Sequence, residues 1–259
     1  MSTPPNTMQK LLKPLVGIAK KIAFKHTSIG APTYAYNIEP IQLATLINEL
    51  ERLRTFSGCI VEIGVARGMT TRFIAQHLVD QKRLHETVYA MDTFASFMEL
   101  DLDYEVSHRG KSLSDLKGFE YNDFKAWSRN FKDHPFVMPI QTDCSVFDYR
   151  KLGPIKLAFL DVDLYLPIKT TLPILFDCLI PEGVILVDDV MPNMTYDGAY
   201  QAYMEFCGER AIQPVVIGNK CGIIRKGECL PPPVNTHTKT VFKSGNNTNQ
   251  PRESINNES

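Results

Sequence analysis

The sequence predicts an α/β domain, a doubly wound and mostly parallel sheet that ends in an antiparallel strand. Three observations carry this. Short apolar runs alternate with amphipathic helical segments over residues 40–207, the pattern of βα units whose strands lie parallel. Two acidic groups, Asp161 with Asp163 and Asp188 with Asp189, directly follow apolar runs, at the strand ends where open α/β sheets bind ligands. The last two apolar runs, 214–217 and 222–225, are separated only by Gly218, Asn219, Lys220 and Cys221. That link is too short for a parallel crossover and requires a hairpin.

In residues 40–54, Ile41, Leu43, Leu46, Ile47, Leu50 and Leu53 recur at helical spacing, and 59–63 reads as the first buried strand. A helix over about 70–79 and strands over 87–91, 136–140 and 155–160 follow. A helix over about 168–179, a strand over 184–187 and a helix over 198–207 lead into the hairpin. Residues 95–135 interrupt the alternation. They carry Glu99, Asp101, Asp103 and Glu105, then Gly110, Gly118 and the aromatics Phe119, Tyr121, Phe124 and Trp127. An insertion after the second strand lies over the ligand edge, where a lid or substrate wall and an extra surface helix packed by its aromatics are both consistent with the composition.

Of the 259 residues 44% are hydrophobic and the net charge is −1, which suits one large domain with a buried core and argues against a nucleic-acid partner. The six cysteines (Cys59, Cys144, Cys178, Cys207, Cys221, Cys229) show no CxxC pair or metal spacing and read as buried thiols in a reducing cytoplasm. No apolar stretch reaches membrane-span length, and the amino end shows no uninterrupted signal-peptide core. The chain divides into an arm over 1–34, a main domain over 35–228 and a tail over 229–259. In the arm, Lys10, Lys13, Lys20, Lys21 and Lys25 interleave with Leu11, Leu12, Leu15, Val16, Ile18, Ile22 and Phe24, a basic amphipathic helix interrupted near Pro14. Packing on the main domain or on a sister subunit of a homo-oligomer is its expected use, and a membrane surface the less common one. The tail begins Pro231-Pro232-Pro233 and is rich in Asn, Thr, Ser and Lys, a composition expected to be disordered.

Carboxylates packed at neighbouring strand ends repel one another unless a cation or a shared proton compensates. Hard oxygen donors without nearby His or Cys favour magnesium, with manganese or calcium also acceptable and zinc disfavoured. The plainer alternative is one Asp capping the next helix and the others solvated. The first strand runs into Glu62-Ile63-Gly64-Val65-Ala66-Arg67-Gly68-Met69-Thr70, which places glycines where a ligand meets the backbone. The spacing is GxxxG, so a dinucleotide turn, which reads GxGxxG, loses support. Asp92 ends the second strand, where a carboxylate can accept hydrogen bonds from two ribose hydroxyls.

These pieces, Val61-Glu62-Ile63-Gly64-Val65-Ala66-Arg67-Gly68, Met91-Asp92-Thr93-Phe94, Leu160-Asp161-Val162-Asp163-Leu164-Tyr165, Pro181-Glu182-Gly183 and Val187-Asp188-Asp189, resemble the class I S-adenosylmethionine-dependent methyltransferases. Within them the chain is similar to the metal-dependent macrocin O-methyltransferase family, the TylF/MycF type, over about residues 35–225. The resemblance implies a seven-stranded Rossmann-like sheet with its last strand antiparallel. It places S-adenosylmethionine over Gly64, Gly68 and Thr70 with its ribose on Asp92, and Mg2+ or another divalent cation on Asp161, Asp188 and Asp189. It also implies Glu62 near the donor's methionine end and Asp143 with Cys144 near its adenine. Val162 stands where the family commonly has glycine, and Pro167 where a small hydroxyl residue often follows. No motif in 95–135 aligns, so the family's substrate-contacting His is assigned to neither His108 nor His134.

The expected activity is methyl transfer to a hydroxyl of a small polyhydroxylated acceptor, a sugar or natural-product glycoside, with Asp163 as the base. A catechol-type O-methyltransferase is the nearest alternative. It would have a Lys base where this chain has Leu164, and an Asn where it has Asp189. A non-catalytic donor-binding module is the alternative of another class.

Overall fold

A computed structural model describes residues 7–28, 31, 34 and 38–227, with side chains from residue 14 onward. In chain order the elements begin with helices α1 (Thr7–His26) and α2 (Pro40–Arg52), strand β1 (Cys59–Ile63), helix α3 (Met69–Asp80) and strand β2 (Val88–Asp92). Helices α4 (Glu99–Arg109) and α5 (Phe124–Asn130) come next, then strands β3 (Val137–Gln141) and β4 (Ile155–Leu160). Helix α6 (Tyr165–Cys178), strand β5 (Leu179–Val187), helix α7 (Gly198–Glu209) and strands β6 (Val215–Ile217) and β7 (Cys221–Arg225) complete the fold.

The seven strands lie in the order β3-β2-β1-β4-β5-β7-β6. Pairing is parallel from β3 through β5, and β7 runs antiparallel to both β5 and β6. The expected sheet, with its final antiparallel strand, is present. Chain order reverses at β1 and β4, which pair from Ile60↔Leu157 to Ile63↔Leu160, and a crevice opens at their C-terminal ends.

Alternate residues of the central strands feed two cores, as a period of two requires. Ile60, Leu157, Phe159, Val184 and Leu186 pack with Leu46 and Leu50 of α2 and Ile74 and Leu78 of α3. Val61, Ile63, Ala158, Leu160 and Ile185 pack with Ile168 and Leu172 of α6 and Tyr203 and Phe206 of α7. Because both faces are covered, β1 and β4 are buried at every position.

Strand β5 begins five residues before the expected 184. Leu179 pairs with Ile155, the register shifts, and pairing resumes at Leu157↔Val184. Helix α6 likewise begins early, at Tyr165. Its first turn tolerates Pro167, whose missing N–H has no helical partner there in any case. Its Tyr165 N–H donates to Glu105 Oε1 of α4 at 2.7 Å, a cap supplied from 60 residues away.

The insertion divides into two parts. Trp127 of α5 is buried and stacks on Phe131, with centroids 4.1 Å apart, so this part is core. Helix α4 is fixed over α6 by Glu105 and by Arg109, which donates to Glu105 and to Asp197, each at 2.8 Å.

Among side chains 14–28 all but Ala23 are exposed, so the expected packing of α1 on the main domain is not found there. No described helix is long and apolar enough to cross a membrane. The five described cysteines are free thiols. The tail expected to be disordered lies outside the described residues.

Candidate active site

The turn after β1 forms the first wall of the crevice. Gly64 has φ +82°, and a Cβ there would lie 1.7 Å from the Asp161 carbonyl oxygen. Only glycine lets the ends of β1 and β4 approach this closely. Gly68, at φ +83°, begins α3 with its Cα against the Phe131 and Trp127 rings.

Asp92 holds this turn from the neighbouring strand. Its Oδ2 accepts from Val65 N–H at 2.9 Å and Ala66 N–H at 3.1 Å, and its Oδ1 from Phe94 N–H at 2.7 Å. Asp92 is therefore an anchor of the glycine turn as well as a residue of the crevice. Behind it Glu62 is buried, with Oε2 lacking a hydrogen-bond partner. Burial pushes its carboxyl up to about 8.

A cleft that opens to solvent, with about 700 Å³ of empty space counting the solvent at its mouth, runs along this wall and includes Gly64, Asp92, Asp143, Cys144, Asp161 and Asp163 in its lining. Residues of the insertion, Ser96, Phe97, Asp101 and Phe119, supply its opposite side. The insertion thus lines the cleft here. Burial, then Asp143 and Glu105, raises the Asp101 carboxyl to about 6. Asp143 accepts from Ser145 N–H at 2.8 Å, and burial raises the Cys144 thiol to about 11. Of the expected donor-binding residues, Gly68 and Thr70 lie at the start of α3 and Glu62 lies in β1; none of the three is part of the lining itself.

Beside the cleft the acidic residues converge. Asp161, Asp163 and Asp189 each offer a carboxylate oxygen, and these lie within 4.8 Å of one another. Burial and the neighbouring carboxylates, Asp188 foremost for Asp161 and Asp189 for Asp163, hold both carboxyls far above the usual range. Asp163 and Asp189 have φ of +61° and +56°, a left-handed conformation uncommon outside glycine and concentrated at functional sites.

Asp188 is engaged differently. Its Oδ1 accepts from Gln42 Nε2 at 2.6 Å and from Asp189 N–H at 2.8 Å, while Lys220 Nζ lies 3.2 Å from its Oδ2. Lys220 also contacts Asp189 Oδ1 at 2.7 Å. Burial opposes the Lys220 ammonium, but Asp188 and Asp189 outweigh it and hold its pKa above the usual lysine range. The geometric trio therefore contains Asp163 in addition to Asp161 and Asp189, with Asp188 turned toward Gln42 and Lys220.

The donor set fits a divalent cation of the magnesium type. It consists of convergent hard oxygens, and among the described residues Lys220 is the one ammonium paired with these four acids, touching Asp188 and Asp189. Tyr196 borders the cluster, its phenol raised by burial and by Asp163 and Asp189. Phe97 lies 5.6 Å from Phe119 and 6.0 Å from Tyr196, centroid to centroid, forming an aromatic surface next to the acids.

Gln42, Lys220, Tyr196 and Phe97 were not found by sequence reasoning. For Lys220 a signal existed, since the hairpin turn that carries it must close at the strand edge bearing Asp188. The other three sit in a helix and two loops whose positions no local pattern specifies.

Residues 61–190 match the family model described as a methyltransferase domain. No curated protein matches the chain by sequence. Among solved structures, the O-methyltransferase NovP is 18% identical with a TM-score of 0.61, covering 85% of this chain and 97% of its own. CalS11, a calicheamicin methyltransferase, is 14% identical with a TM-score of 0.59, covering 88% of this chain and 100% of its own. An apo structure of CalS11, a TDP-rhamnose 3′-O-methyltransferase, is 16% identical with a TM-score of 0.52, covering 87% and 97%. These likenesses establish a shared fold, and the family match, which takes in the glycine turn, Asp92 and both acidic strand ends, shows that the chain belongs to the methyltransferase-domain family.

Proposed function

We propose that the protein is an S-adenosylmethionine-dependent O-methyltransferase that acts on a hydroxyl of a small polyhydroxylated acceptor with a divalent cation. The observation that supports it best is the convergence of the β4 and β5 carboxylates directly beside the glycine-turn cleft. Donor and acceptor would meet at that boundary, with Gly64 and Asp92 on the donor's side and the acids on the acceptor's.

Methyl transfer from a sulfonium is an in-line displacement. The oxygen–carbon bond forms as the carbon–sulfur bond breaks, and the hydroxyl proton leaves to a base. Asp163 is the proposed base, because it lies in both the cleft lining and the acidic cluster and is not among the three proposed cation ligands. Magnesium held by Asp161, Asp188 and Asp189 would supply orientation and acidification of the acceptor hydroxyl. Asp188 contacts Lys220, an ammonium that would compete with a cation bound there. Phe97, Phe119 and Tyr196 offer flat apolar faces of the kind on which the C–H face of a sugar ring stacks. Leu164 and Asp189 occupy the positions where a catechol-type enzyme would carry Lys and Asn, which weighs for a sugar-type acceptor.

The test is a methylation assay on a panel of sugars, nucleotide sugars and catechols, with and without chelator, alongside manganese binding measured by electron paramagnetic resonance. Asp161→Asn, Asp188→Asn and Asp189→Asn should weaken manganese binding and turnover together. Asp163→Asn should leave manganese binding within threefold and lower turnover by roughly 10²-fold or more. Full turnover in chelator would reject the cation. Weakened manganese binding in Asp163→Asn would move Asp163 from base to ligand. Absence of both donor binding and turnover would favour a non-catalytic module.

A further inference from the structure

Helix α1 carries a feature that the methyltransferase reading does not use. At 100° per residue, Leu15, Val16, Ile18, Ala19, Ile22 and Ala23 fall within an arc of about 160°. Lys20, Lys21 and Lys25 fall on the opposite side, and Phe24 lies among them. The helix contains no acidic residue. It thus holds a charge of +5 from its lysines, while the rest of the chain, with 23 of the 28 Lys and Arg and all 29 Asp and Glu, sums to −6. The stripe is uncovered by the chain's own domain, with Leu15 63%, Ile18 56% and Ile22 54% exposed.

We propose that α1 docks the protein on a bilayer surface rich in anionic lipid, lying in the interfacial plane with its apolar stripe among the acyl chains and its lysines at the headgroups. Charge complementarity selects this occupant. A one-sided stripe with lysines concentrated on the other face and low overall hydrophobicity is the pattern of interfacial helices, and each lysine adds attraction to an anionic surface. A second copy fits less well. Two such stripes face to face would bury roughly 600 to 1,000 Å² in total, short of the ~1,600 Å² of a standard stable interface. Such a contact would also leave the lysines of both helices facing outward without a partner, since neither helix contains a carboxylate.

The experiment uses the full chain and large unilamellar vesicles of phosphatidylcholine alone or with about one-third phosphatidylglycerol, read by flotation. Binding to the anionic vesicles should exceed binding to the neutral ones at least tenfold. It should also fall steeply between 0.1 and 1 M salt, as the Debye length shrinks from about 10 to about 3 Å. Leu15→Glu/Ile18→Glu should abolish flotation, and Lys20→Gln/Lys21→Gln/Lys25→Gln should reduce the preference for anionic vesicles at least tenfold. Both variants should keep the wild-type melting temperature, since these side chains are exposed. Equal binding to both vesicle types, no binding to either, or an unaffected Leu15→Glu/Ile18→Glu variant would overturn the proposal. A dimer seen in sedimentation velocity and dissolved by that variant, with no flotation, would assign the stripe to a second copy instead.

Discussion

Replacing Asp92 tests whether this residue acts only on the donor or also builds the site. In the donor-free protein its two oxygens accept three backbone N–H groups at 2.7 to 3.1 Å, two from the glycine turn and one from Phe94. Hydrogen bonds to charged groups contribute about 1.5 to 3 kcal/mol each. Water can reach part of this turn once the carboxylate is gone, so Asp92→Ala should cost about 3 to 5 kcal/mol, a large share of a typical domain's stability. Asp92→Asn keeps one acceptor oxygen and should lose about half as much. Urea unfolding followed by circular dichroism, without donor, measures this directly. The midpoint should fall with the slope unchanged. Calorimetry with S-adenosylhomocysteine at low temperature should then show weakened binding in both variants, more in Asp92→Ala. An unchanged urea midpoint in Asp92→Ala would refute the anchoring role. Loss of affinity without loss of stability would leave Asp92 a ribose ligand alone.

Lys220→Met should tighten manganese binding at least tenfold in electron paramagnetic resonance titrations, because it removes a cation that contacts two of the cluster's carboxylates; unchanged affinity would show that the ammonium does not compete. Glu62, buried and raised from 4.5 to about 8, retains a proton in the folded state that the unfolded chain releases. The donor-free protein should therefore lose stability as pH rises through that window, by up to about 1.4 kcal/mol per pH unit from this group, and Glu62→Gln should flatten the slope measured by urea unfolding at pH 5, 6 and 7. An identical slope in the variant would place the proton elsewhere.

The strands were legible because each is a short apolar run, ended by a glycine at β1 and β6 and by an acid at β2, β4 and β5, and the hairpin because its link is too short for anything else. The start of α6 was not. Its cap is Glu105, and no spacing in the sequence joins Glu105 to Tyr165. The early start of β5 was hidden for a related reason, since Pro181 and Gly183 are residues that strands disfavour, and it is pairing at Leu179 that makes this segment part of a strand. In the site, the acids were visible as strand-end residues, but their partners were not. Gln42 reaches Asp188 across 146 positions, and Lys220 closes on the same carboxylate from the hairpin. Composition described α1 well as an amphipathic helix yet gave no information on what its stripe meets.

The close approach of Gly64 to Asp161 couples the glycine turn to the acidic cluster. Residue 64 can carry no Cβ because the Asp161 carbonyl would lie 1.7 Å from it. That approach is imposed by the parallel pairing of Ile63 with Leu160 one residue earlier. The position of Asp161 relative to the glycine turn is therefore set by sheet register, the stiffest element of the fold, and not by the loops that follow. Asp163 and Asp189 reach the same point through left-handed backbone, so their placement depends on the loops being held by Lys220, Gln42 and the Glu105 cap. A substitution at Gly64 should accordingly displace the glycine turn and the acidic cluster at once, whereas one at Lys220 or Glu105 should disturb the acids and leave the glycine turn, anchored separately by Asp92, in place.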